Sequence, residues 1–205
     1  MTSRLLSGAL LATLLVPVAA PALADPSPVA DRAVDRAAPR TTLTIHAPGC
    51  EGCDITAHSA LTSDYEDVWE SGSKEVVDGV VTFRVPTDRT AGLSLSLVAP
   101  WERRLGYVTV VAMRYAGTHP GDTVGFRDAR AERRASACWG GTAESSYDLT
   151  IRTRKVRVVG ASPRKVPGTL AWARTTPGWL APMRRVYDGV MGGQDIDFCD
   201  PPAEG

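Results

Sequence analysis

One stretch of nineteen residues, Leu43 to Leu61 (LTIHAPGCEGCDITAHSAL), holds two of the four cysteines and two of the three histidines. A Cys-x-x-Cys pair does redox chemistry when a helix N-terminus follows the first cysteine and stabilises its thiolate. After Cys53, however, Ile55-Thr56 is β-branched and the apolar residues alternate, which predicts a strand. The pair therefore reads as a structural disulfide. His46, Cys50, Cys53 and His58 together also supply the ligand types of a Cys₂His₂ metal site. That alternative needs both thiols reduced and both histidines on one polar face of a hairpin about Glu51. The preferred expectation is no metal and no cofactor. Four cysteines allow three pairings. Proximity selects Cys50–Cys53, leaving Cys138–Cys199 to pin the C-terminal tail, and a crossed pairing stays open.

Nucleophilic catalysis finds little support. There is no G-x-S-x-G, no Walker, Rossmann or H-E-x-x-H motif, and Ser71 and Ser73 have no histidine close in sequence. His119 sits in a GTHPG turn, where a solvated surface role is the default. No catalytic residue is singled out, and the reading leans away from an enzyme, with a site assembled from distant residues left open. Of the five tryptophans, Trp139 beside Cys138 reads as core. Trp101 and Trp179 lie in Pro/Gly-flanked loops, where an indole can stack on a ligand or anchor the loop.

Charge is balanced in total but not in place. Residues 41–126 hold 6 basic and 11 acidic side chains, a balance of −5, whereas residues 127–185 hold 13 and 4, a balance of +9. From 186 onward there are five acids and no base. Arg152, Arg154, Lys155 and Arg157 run along one β-like segment as a candidate anion-binding stripe, because arginine pairs bidentately with phosphate or carboxylate. The competing expectation is internal neutralisation by Asp188, Asp195, Asp197, Asp200 and Glu204. Nucleic acid is disfavoured as a partner, since the basic charge coincides with no reader motif.

The elements that must position these groups are mostly strands. Leu43, Ile45 and Ala47 alternate with Thr42, Thr44 and His46, and Ile55, Ala57, Ser59 and Leu61 alternate with Thr56 and His58. Glu75 to Val81 reads as a hairpin about Asp78-Gly79, whose residues tolerate a type I′ turn. Val81, Phe83 and Val85 point inward, and Leu93, Leu95 and Leu97 do so with Ser94 and Ser96 outward. Tyr107 to Tyr115 is apolar on both faces and reads as a central strand. Arg127 to Ala137 fits a short helix or, at Ala135 to Trp139, a strand. Tyr147 to Val159 changes parity: Leu149 and Ile151 are apolar at odd positions, Val156 and Val158 at even ones, which implies a bulge or tight turn near Thr153 to Lys155. Thr169 to Arg174 is a further strand, and Pro182 to Met191 has the spacing of a short C-terminal helix. Roughly eight strands with frequent turn signals give an antiparallel β-sandwich.

Residues 1–24 read as a signal peptide: Arg4, an apolar run from Leu5 to Ala20, and Ala22-Leu23-Ala24 before Asp25. Residues 25–40 read as a flexible linker and 41–205 as a single domain with a C-terminal tail. The expectation is a secreted, soluble protein with no membrane span in its mature form. The absence of asparagine and the abundance of arginine over lysine resemble the composition of actinobacterial proteins. Val77 to Pro100 (VDGVVTFRVPTDRTAGLSLSLVAP) resembles transthyretin-like or carboxypeptidase-regulatory-type sandwich modules, with a D-G turn, an aromatic strand ending in V-P and a strand of alternating aliphatics. The resemblance implies an Ig-like or transthyretin-like sandwich serving structure or binding, and it carries no catalytic residue. The functional expectation is a binding or cell-envelope-associated module for an anionic envelope polymer or an acidic protein. The alternatives are a secreted hydrolase with a dispersed site and a secreted protease inhibitor presenting Pro182 to Arg185.

Overall fold

The computed structural model describes residues 38–60, 66–104, 108–115, 117–131, 135–159 and 165–176. The expected leader and nearly all of the linker, the helix at 182–191, Trp179 and Cys199 lie outside these residues. The fold is mostly β and sandwich-like, with little helix. One four-stranded sheet has the order β11 (Lys165–Ala173), β10 (Ser146–Val159), β1 (Arg40–His46) and β5 (Val80–Pro86). Its partner has the order β3 (Val68–Glu70), β2 (Asp54–Ala60), β6 (Ser94–Val98) and β7 (Thr109–Val110), with β4 (Lys74–Glu75) also pairing β2. β8 (Arg114–Tyr115) and β9 (Ala135–Ser136) form a small ladder, and α1 (Phe126–Ala131) is the one α-helix among the described residues. Both readings of residues 127–137 are thus realised in turn. The sandwich is not wholly antiparallel: β10 runs parallel to β1, from Thr42 opposite Ser146 to His46 opposite Thr150.

Between the sheets lies a core built from the expected alternations. Leu43, Ile45, Ile55, Phe83, Leu95 and Leu97 are fully or almost fully buried in it, with Trp139 beside them. The hairpin about Glu51 that the metal alternative requires does not form, because β1 and β2 belong to different sheets. The Cys50–Cys53 turn is instead an arch that carries the chain across the core. The Asp78-Gly79 turn is a second arch stacked on the first. Its two residues have positive φ, 52° and 72°, and Val77 bridges Val80 across it, as a type I′ turn demands. Its arms then diverge, β4 pairing β2 and β5 pairing β1.

The parity change in β10 has no bulge behind it. Its ladder with β11 is regular, from Ile151 opposite Ala173 to Val159 opposite Lys165. What changes is the face that is covered. Leu149 and Ile151 pack into the core between the sheets, whereas Val156 and Val158 pack on the opposite face with Ala129, Leu170, Trp172 and Val124. A second small core under α1 therefore takes over where the first ends. Residues 109–113 tie the sheets along this side. Val111 N–H donates to the Leu95 carbonyl at 2.9 Å, Ala112 N–H to that of Ala171 at 2.9 Å, and Ala173 N–H to that of Ala112 at 2.8 Å. Such a segment must be apolar on both faces, as its sequence is.

Glu102 sits beside this seam. Its buried carboxylate accepts hydrogen bonds from Ala99 N–H at 3.0 Å and Thr109 Oγ1 at 3.2 Å. Burial pushes its pKa above the usual 4.5, opposed in part by these bonds and by contacts from Thr169.

Candidate anion-binding site

The second half of β10 exposes Arg152, Arg154, Lys155 and Arg157, but not as one stripe. Strand pleating sends the even residues to one face and the odd ones to the other. Arg152 and Arg154 share the face of Val156 and α1, while Lys155 and Arg157 lie on the reverse, so the continuous stripe expected from the sequence is corrected to two faces. Residues of both faces nonetheless line one depression beside the strand. β1 pairs β10 only as far as Thr150, and among the described residues no strand pairs the same edge of Ile151–Val159. Beside this half of β10 lies an open depression of about 470 Å³ lined by Phe126, Arg130, Arg154, Lys155, Val156, Arg157 and Pro167. Four of those residues are cationic and none is acidic.

Neighbouring aromatic and backbone groups hold these cations in place. The Arg154 guanidinium lies 4.1 Å from the centroid of the Phe126 ring, which packs 6.1 Å from Trp172. The Trp172 indole N–H in turn donates to the Val124 carbonyl at 2.8 Å. Lys155 Nζ lies 5.3 Å from the Trp101 ring. Trp101 itself is a half-buried loop anchor, its Nε1 donating to Thr169 Oγ1 at 3.0 Å. Arg157 donates to the Lys165 carbonyl at 2.7 Å. Aromatic faces and carbonyls orient a cation without discharging it. Among the described residues none of the four cations forms an ion pair. A second, smaller depression of about 180 Å³ lies further along the same strand, lined by Thr123, Val124, Thr150, Arg152, Trp172, Ala173 and Arg174. Its described lining too contains cations and no acid.

The Cys/His stretch resolves differently. Cys50 and Cys53 are bonded to each other, with Cα atoms 5.4 Å apart, and both are buried. The bonded sulfurs remove the Cys₂His₂ alternative. The two histidines are also on separate sheets, His46 pairing with Asp148 at 3.2 Å and His58 lying on β2. The residues after Cys53 form a strand, so no helix activates a thiolate there. Cys138 is not free, and its expected partner Cys199 lies outside the described residues. Glu51, within the bonded pair, accepts from Asp78 N–H at 3.1 Å and Gly79 N–H at 3.0 Å, fastening one arch to the other.

Sequence spacing concealed a further constellation. His58 Nε2 is 2.8 Å from Ser96 Oγ, and His58 Nδ1 is 3.7 Å from Glu70 Oε2. Strand pairing alone unites them, since residues 58 and 96 lie on adjacent β2 and β6. Ser94 and Ser96, expected outward, are buried on this face. The order serine–histidine–carboxylate is that of a nucleophile, a base and an orienting group. However, β6 pairs on both edges, with Ser96 opposite Thr56 and Val110. Its amides are committed to the ladders, and the strand leaves no oxyanion donors beside the hydroxyl. The arrangement satisfies a buried histidine.

Comparison with known protein families, with curated proteins and with solved structures finds no match for this chain.

Proposed function

We propose that the protein is a binding module of the cell envelope or extracellular space whose ligand is an anionic polymer or an acidic protein surface. The observation that carries this reading is the depression beside β10, whose described lining includes Arg130, Arg154, Lys155 and Arg157 and no acid. Cations that line one concave surface raise the local concentration of an anion and supply charge-assisted hydrogen bonds. An extracellular setting accords with the Cys50–Cys53 disulfide and with the leader-like N-terminus; no described helix is long and apolar enough to cross a membrane. The transthyretin-like resemblance of Val77 to Pro100 accords with a binding or structural role and contributes no residue to the depression. Charges on an unpaired edge also discourage strand-to-strand aggregation, a role that calls for no ligand.

Co-sedimentation of the secreted protein with purified cell wall across a salt series tests the reading. Binding that weakens steeply with salt and is lost in Arg154→Ala/Arg157→Ala is expected. No binding, or binding indifferent to both salt and substitution, would overturn it in favour of an edge protected by charge or neutralised within the chain.

A further inference from the structure

Resting on that reading, we infer that the two depressions along β10 form one elongated site for a phosphate-bearing chain, with the larger depression holding one group and the smaller one the next. The junction is Arg152 to Arg154. Arg152 lines the smaller depression and Arg154 the larger. The two are alternate residues of one regular strand, opposite Trp172 and Leu170, so they project from the same face. Their backbone positions are about 6.7 Å apart at the rise of a strand. Phe126 and Trp172 pack against each other, and one lines each depression. Arg174 extends the cationic lining at one end, and Arg130, Arg157 and Lys155 do so at the other. A compact anion can occupy one depression, whereas an extended polyanion can occupy both.

The charge composition favours phosphate over carboxylate. Four cationic residues line the larger depression; Arg154 presents its guanidinium from the face that α1 covers, with Arg130 on α1 beside it. A carboxylate offers two oxygens, whereas a phosphate offers more acceptor oxygens and charge at one centre, so it can engage several forks together.

The test measures, by calorimetry, the binding of inorganic pyrophosphate, long-chain polyphosphate and long-chain polyglutamate to the full secreted protein. Arg154→Ala should weaken both phosphate ligands, each by about tenfold, the effect of losing one charge-assisted contact. Arg152→Ala/Arg174→Ala should leave pyrophosphate within about twofold and weaken the long chain by tenfold or more. On the long chain, the slope of log affinity against log salt should fall by about 1.4 in that double variant, the counterions of two lost phosphate contacts. Equal weakening of pyrophosphate and polyphosphate by the double variant would overturn the elongated site and leave one diffuse patch. No weakening of either would leave the larger depression acting alone. Tighter binding of polyglutamate than of polyphosphate would overturn the phosphate assignment. Failure of all three ligands to bind wild-type protein would count against the anion-binding reading itself, a different outcome from any of these.

Discussion

The arch corner and the far half of β10 use charge in opposite ways. At the corner, Glu51 spends its carboxylate on the two amides of the facing turn, and Cys50 and Cys53 close their loop by a covalent bond. On β10, Arg154, Lys155 and Arg157 have neighbours that position them, and neither they nor Arg152 has a carboxylate that neutralises it among the described residues. A group whose partners are all internal stabilises the fold. One that is oriented but left charged retains binding capacity for something outside it. The two regions should therefore answer mutation differently, the corner in stability and the strand in binding.

The largest expected effects compare the cores beneath the two regions. Leu43 and Leu170 are both fully buried, one between the sheets and one under α1. Leu43→Ala should cost about 4 kcal/mol, and Leu170→Ala about 2.5 kcal/mol, because the smaller core adjoins open depressions and can relax around the deletion. Urea unfolding of both variants checks the order. A greater loss for Leu170→Ala would mean that the two cores are coupled rather than successive.

Next in size is the corner's covalent closure. Cys50→Ala/Cys53→Ala should cost about 2 kcal/mol, the modest value that the chain-entropy model gives for so short a loop. Thermal unfolding of the purified variant, read as a shift in Tm, measures it. No change would show that the hydrogen bonds donated to Glu51 by Asp78 and Gly79 N–H hold the arch without help.

Much of this division was legible in the sequence, and what was missed has a physical pattern. Alternation identified the inward faces of β1, β2 and β5 because each buries one face for its whole length. It also registered the anomaly in β10, but a change of parity is the same string whether a residue is inserted or a second core covers the other face. The Asp-Gly turn was visible, yet local chemistry fixes the turn and not the sheets to which its arms go. Hence the expected hairpin became an arch. Ser96 and His58 escaped because residues 38 apart meet only through strand pairing. Phe126, Arg130 and Arg174 carried no spacing signal beyond the basic balance of residues 127–185. The exposed cations of β10 were found, but their distribution over two faces follows from register and pleat.

A smaller effect, with a pH signature, belongs to the seam where the two regions meet. Desolvation raises the Glu102 pKa in the folded protein above its usual 4.5. The folded state then holds the proton more tightly than the unfolded chain does. The resulting stability is fully present below the unfolded pKa and is lost as pH rises through the folded one. Glu102→Gln keeps the shape and an acceptor for Ala99 N–H without the charge. The variant should gain on wild type as pH rises from 4.5 towards neutrality, and the gain should vanish in acid. Urea midpoints measured across that window check the sign. A variant that is less stable at neutral pH would mean that the ionised carboxylate is a net asset to the seam.

The smallest expected change in stability is at the cations themselves, and its smallness is the point of the comparison. Two like charges about 7 Å apart in water repel by roughly 0.6 kcal/mol, reduced further at physiological ionic strength, where the Debye length is about 8 Å. Against this, Arg154 gains about 0.5–1 kcal/mol from its contact with Phe126, whereas Arg152 has no aromatic contact of its own among the described residues. Arg152→Ala should therefore be neutral, or stabilise by a few tenths of a kcal/mol at low salt, with the gain erased by added salt. Arg154→Ala should cost about 0.5 kcal/mol, with little dependence on salt, since the lost contact is with a ring. Paired urea titrations at low and high salt resolve the two. If either arginine instead cost more than about 2 kcal/mol, the usual signature of a broken internal network, it would be partnered within the fold. The contrast between a satisfied corner and an available strand would then collapse. The near-zero outcome would leave binding as the property that those charges serve.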